Sequence, residues 1–124
     1  MKSRTNGLIL LLAAMQIALS LISCTGKDDP PDIYINTPIA GFTWTGNDHP
    51  APVTVQFVNT SEYADQFEWD FGDGQSSTQR DPQHTYYNTS GQPRNFTVIL
   101  KATDPGTGMF QRQSKVIVIQ PGAK

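Results

Sequence analysis

Two hydrophobic patterns divide this chain. From Leu8 to Ile22 apolar residues run almost without a break, interrupted only by Gln16 and Ser20. Beyond Ile39 apolar residues instead take every second position, the period of a strand with one buried face rather than of a helix. Six short strands are predicted on this basis. Ala40, Phe42 and Trp44 mark the first, Val53, Val55 and Phe57 the second, and Phe67, Trp69 and Phe71 the third. A short fourth runs from Thr85 to Tyr87, Phe96, Val98, Leu100 and Ala102 mark the fifth, and Val116 and Val118 carry the sixth. Turn chemistry separates them: Gly46-Asn47-Asp48-His49-Pro50, Asn59-Thr60-Ser61, Gly72-Asp73-Gly74, Asp81-Pro82 and Asp104-Pro105-Gly106. Asp and Gly accept the positive φ that tight turns require, so Gly72-Asp73-Gly74 forces a sharp reversal.

Short strands at near-regular spacing, divided by turns, predict an all-β fold: an antiparallel, immunoglobulin-like β-sandwich of six or seven strands. Trp69 is the expected central core residue, packed against Phe57, Phe71 and Leu100. With a single cysteine there is no disulfide between the sheets, so apolar packing alone has to join them.

Three segments together resemble the PKD domain: Trp69-Asp70-Phe71-Gly72-Asp73-Gly74, Asp81-Pro82-Gln83-His84-Thr85-Tyr86 and Phe96-Thr97-Val98-Ile99-Leu100. The resemblance runs from about Ile39 to Gln120 and implies an immunoglobulin-like sandwich of the kind found in cell-surface proteins and bacterial secreted enzymes. It makes Trp69 through Gly74, His84 and Tyr86 a structural motif. One departure is that Gln92-Pro93-Arg94-Asn95 separates Gly91 from Phe96, which predicts a lengthened loop.

The N-terminal pattern reads differently. Lys2 and Arg4 followed by a fifteen-residue apolar run have the layout of a secretory signal peptide, and the run is shorter than the ~20 residues of a spanning helix. It ends in Leu21-Ile22-Ser23-Cys24, which resembles a bacterial lipobox and implies acylation of Cys24. Lys27-Asp28-Asp29 resembles the export signal of surface lipoproteins of Bacteroidetes. The expected organisation is a signal peptide over residues 1–23, a lipidated Cys24 and flexible tether over 24–38, a PKD domain over 39–120 and a tail over 121–124. Outer-membrane anchoring with surface display follows from that reading.

Composition narrows the chemistry. The net charge is −2, and without Lys2 and Arg4 it becomes −4, with 7 basic against 11 acidic residues. That balance excludes the basic stripe on which nucleic-acid binding depends. Two His and one Cys cannot assemble a zinc site of three or four nitrogen and sulfur ligands. Asp70, Asp73 and Asp104 are the best oxygen ligands for calcium, a question the PKD resemblance raises, but Asp before Gly also has a plain role in bonding its own turn. His84 has no Cys or Ser nucleophile in view and reads as a framework residue. Tyr86 is expected to tie a loop back to the backbone, as corner tyrosines of other sandwiches do.

Trp44, Tyr63 and Tyr87 are candidates for stacking on sugar rings. Tyr87 follows Tyr86, so the two face opposite sides and Tyr87 is the better exposed contact, together with the loops after Gly46 and Gly91. The expected function is non-catalytic, with no cofactor: an envelope-anchored domain that contacts a protein or polysaccharide, or spaces something from the membrane. The alternative is a fragment or accessory module of a lipid-anchored secreted glycosidase or protease.

Overall fold

A computed structural model describes residues 35–123. The apolar run, Cys24 and most of the tether lie outside these residues. Seven strands follow in chain order: β1 (Phe42–Thr45), β2 (Val53–Asn59), β3 (Gln66–Asp70), β4 (Ser76–Ser77), β5 (Gln83–Tyr86), β6 (Arg94–Thr103) and β7 (Phe110–Ile119). They form two antiparallel sheets, one of order β1-β2-β5 and one of order β4-β3-β6-β7. This is the predicted β-sandwich.

Alternation puts the core between the sheets. Val53, Val55 and Phe57 face inward from β2, Phe67 and Trp69 from β3, and Phe96, Val98, Leu100 and Ala102 from β6. Trp69 is paired in register with Leu100, and its ring centroid lies 5.2 Å from Phe42, 5.5 Å from Phe57 and 6.4 Å from Phe71. A buried indole needs a partner for its N–H. Here Trp69 Nε1 donates to the Gln79 carbonyl at 2.9 Å, which also fastens the segment between β4 and β5 onto the core.

Polar stitches add to the apolar packing that joins the sheets. Along one side, Lys115 Nζ on β7 donates to the Phe42 carbonyl on β1, and the Ala40 amide donates to Gln111 Oε1 at 2.7 Å.

The structure corrects four expectations. The inward residues of β7 are Ile117 and Ile119, whereas Val116 and Val118 stand 52% and 42% exposed. Register decides this: Ile117 sits opposite buried Phe96, and residues directly opposite share a face. Second, β4 was not foreseen; its two serines carry no apolar signal. Third, β5 begins at Gln83 and ends at Tyr86, leaving Tyr87 beyond the strand. Fourth, Arg94 and Asn95 are no loop extension but the first residues of β6, paired with Ile119 and Val118.

Candidate functional site

The Gly72-Asp73-Gly74 turn and β5 meet at one edge of the sandwich. Both aspartates of the hexapeptide are spent locally. Asp70 Oδ1 accepts from the Gly72 amide at 2.9 Å, and Asp73 Oδ1 accepts from the Gln75 amide at 3.1 Å. Asp73 Oδ2 lies 2.7 Å from His84 Nε2, with both side chains largely shielded from solvent. The His84 ring stacks flat on Phe71 at 4.2 Å and meets Tyr86 edge-on at 4.6 Å.

Tyr86 closes the framework. Its hydroxyl donates to the Phe71 carbonyl at 2.9 Å from a fully buried position. Burial first, then the negative charges of Asp73 and Asp70, push the phenol pKa far above its usual value. The hydroxyl therefore remains a donor throughout the physiological range. Because the folded value lies above the unfolded 10.0, the contribution is intact below about pH 10 and is lost as pH rises toward the folded value. Tyr86→Phe should lower stability by about 1–3 kcal/mol at neutral pH, the cost of leaving a buried acceptor short of its donor. It should also flatten the alkaline loss of stability. Denaturant titrations at pH 7 and pH 11 on both proteins check both effects.

Beside this framework lies an open hollow of about 540 Å³, lined by Asp73, Gln75, His84, Tyr87 and Arg94 among others. Tyr87, 68% exposed, also lines a second hollow of about 340 Å³ with Pro52, Asn88, Thr89 and Gly91. The chain beyond Tyr87 is held by Asn88, which is buried. Its amide donates to the carbonyls of Gln92 and Ile119, both at 2.8 Å, and its Oδ1 accepts from Ser90. Tyr87 thus projects from a fixed backbone. Arg94 places its guanidinium 5.0 Å from the Phe96 ring centroid.

The other candidates fall elsewhere. Trp44 is half-buried and packs on the core, 6.1 Å from Phe42 and 6.4 Å from Phe57, so it is no free platform. Tyr63 is exposed but lines neither hollow beside Tyr87. Asp104 belongs to the turn between β6 and β7, at the far end of the sheet from Asp73. The Thr107 hydroxyl and the Gly106 amide hold its carboxyl below the usual range. The structure therefore does not bring Asp70, Asp73 and Asp104 together. Among the described residues no group of three or more His, Cys, Asp or Glu is placed to hold a metal. The loop after Gly46 lines a separate depression with the exposed Asp48–His49 pair.

Sequence reasoning missed Arg94, Gln75 and Asn88. The signal for Arg94 was present, since it stands two residues before Phe96 and shares its face of the strand.

Similarity to known proteins agrees with this framework. The sequence model of the PKD domain matches residues 36–118. The chain belongs to the PKD domain family. Two solved PKD1 domains superpose on it. That of Vibrio anguillarum Epp has a TM-score of 0.56 and 24% identity, over 69% of this chain and 96% of its own. That of the Vibrio cholerae metalloprotease PrtV has 0.57 and 26%, over 68% and 99%. A third structure, described for the promiscuous specificity of carbohydrate-binding modules of the β-sandwich superfamily, has 0.60 and 27%. The match covers 69% of this chain and 35% of that one. No curated protein matches the chain. The PKD domain is a non-catalytic module, and the stacked His84, the Asp73 turn and Tyr86 are the framework that shapes this one.

Proposed function

We propose that the chain is an envelope lipoprotein whose PKD domain binds a carbohydrate or protein partner without transforming it. The observation that carries this reading is Tyr87, exposed on a fixed backbone at the rim of a polar hollow. The imidazole in that hollow is tied into the framework by Asp73 and Phe71. Loops and rims on a rigid sandwich are where such folds make their contacts. The likeness to carbohydrate-binding modules supports a glycan as one class of partner. The test is a screen of the chain against envelope polysaccharides and peptides, with binding and turnover measured separately. Saturable binding without turnover is expected; turnover abolished by His84→Ala would overturn the reading.

Acylated Cys24 would anchor the domain at the outer membrane, residues 24–38 acting as tether and the domain displayed at the surface. Lipidation contributes ~0.8 kcal/mol per buried CH₂, and two or more acyl chains hold a protein at a membrane stably. Cys24→Ser is expected to move the protein from the membrane fraction to the soluble fraction. Equal membrane association of mutant and wild type would rule the anchor out. Protease shaving of intact cells tests the display.

A second reading has one observation in its favour: a PKD1 domain of similar structure belongs to a metalloprotease. On that reading the chain is a fragment or accessory module of a secreted hydrolase. A hydrolase domain encoded in frame beside it, or copurifying with it, would support this reading.

A further inference from the structure

Tyr87 lies between two hollows rather than beside one, and that arrangement narrows the ligand. It lines the 540 Å³ hollow with Arg94, Gln75 and the His84–Asp73 pair, and the 340 Å³ hollow with Pro52 and Gly91. A ligand of one ring would occupy a single hollow. A ligand that uses both must pass over the tyrosine and continue on each side.

The chemistry of the larger hollow differs from that of a neutral-sugar site. Both Asp73 oxygens are already accepting or paired, one with the Gln75 amide and one with His84. With Asp73 engaged by the Gln75 amide and His84, Arg94 is the strongest donor the hollow offers. Three ion pairs form among the described residues, and Arg94 is in none of them. A guanidinium presents a planar fork that matches a carboxylate. The smaller hollow, with Pro52, Ala51 and Gly91, offers shallow apolar surface of the kind the C–H face of a sugar covers.

An extended peptide fits less well. Peptides add to sheet edges through backbone hydrogen bonds. β5 is an edge strand and reaches the larger hollow through His84 and Thr85, but it ends at Tyr86, and Asn88 bonds the following turn to Gln92 and Ile119, so that edge does not continue past Tyr87 to the smaller hollow.

We propose that Tyr87 and the two hollows it divides bind the interior of a linear, carboxylated polysaccharide. Tyr87 stacks under one sugar and Arg94 holds the carboxylate of a neighbouring uronic acid. This rests on the binding-module reading above and specifies its site and ligand class.

The test uses the full chain in detergent and oligomers of galacturonate, mannuronate and glucuronate-containing hyaluronan, one to six sugars long. For at least one series, affinity should rise tenfold or more between one and four sugars and then level off. Methyl esterification of the oligomer, or Arg94→Gln, should each lower affinity about tenfold, and their effects should not add. Tyr87→Ala should remove binding at every length while leaving the denaturation midpoint in place. The inference is overturned by affinity independent of length, by equal binding of acid and ester, by undiminished binding in Tyr87→Ala, or by no binding in all three series. If those series fail while a peptide or a neutral glycan binds saturably, this site assignment falls and the binding-module reading stands. If nothing binds, both fall.

Discussion

Trp69→Ala is expected to lower the stability of the sandwich by about 3–5 kcal/mol, the usual cost of truncating a buried Trp or Phe to Ala. A whole domain commands only about 5–15 kcal/mol, so this one change removes a large share of it. Three features place Trp69 at the upper end of that range. It is 2% exposed, it packs on Phe42 and Phe57 of the opposite sheet, and its indole N–H is bonded to the Gln79 carbonyl. Truncation opens a void between Phe42 and Phe57 and releases the chain between β4 and β5 in the same step. At ~4–8 °C per kcal/mol for a domain this small, the melting temperature should fall by at least ~12 °C. Tyr63→Ala, at an exposed position, should change stability by no more than ~0.5 kcal/mol. Equal losses in the two variants would mean that the core is not centred on Trp69.

The strands that could be read from the sequence are those whose two faces differ. β2 alternates Val53, Thr54, Val55 and Gln56, and one residue of slip would bury Thr54 and Gln56, so the period alone assigns the faces. β7 gives no such contrast. Val116, Ile117, Val118 and Ile119 are all β-branched and apolar, both registers look equally good locally, and only the pairing with β6 chooses between them. β4 has no pattern to read. Its two serines become a strand because the turn before it returns the chain alongside Trp69 and Asp70.

The site was legible in the same uneven way. Tyr86 and Tyr87 are adjacent, and strand alternation predicts opposite sides for them; one is fully buried and the other exposed, although Tyr87 stands one residue past the end of β5. Trp44 alternates with Phe42 at the end of a strand, and that pattern does not tell a free ring from a packed one. The ring is held by Phe57 from β2, a contact between strands that local pattern does not contain. Arg94 and Asn88 act through β7, about 25 to 30 residues further along, and that proximity exists only once the sheet has formed.

Gly72→Ala is expected to be strongly destabilising, and Gly74→Ala only mildly so. Both glycines have positive φ, 79° and 90°, a region that costs an L-residue about 1–2 kcal/mol. Their surroundings then separate them. A Cβ on Gly74 meets nothing within 4 Å. A Cβ on Gly72 falls 2.5 Å from the Thr97 carbonyl oxygen and 2.9 Å from its nitrogen. Thr97 is in the middle of β6, paired with Val116, so the backbone it meets cannot step aside without breaking the sheet. The turn must move instead, carrying Phe71 and Asp73 away from Tyr86 and His84. Gly72→Ala should therefore lose the strain energy together with part of the Tyr86 and His84 contacts, more than ~3 kcal/mol in sum. Gly74→Ala should lose only about 1–2 kcal/mol. Paired urea titrations measure the difference, and the ring resonances of His84 show whether the turn has moved. Equal effects of the two substitutions would mean that the turn does not press against β6 and that the hollow beside Tyr87 is not shaped by it.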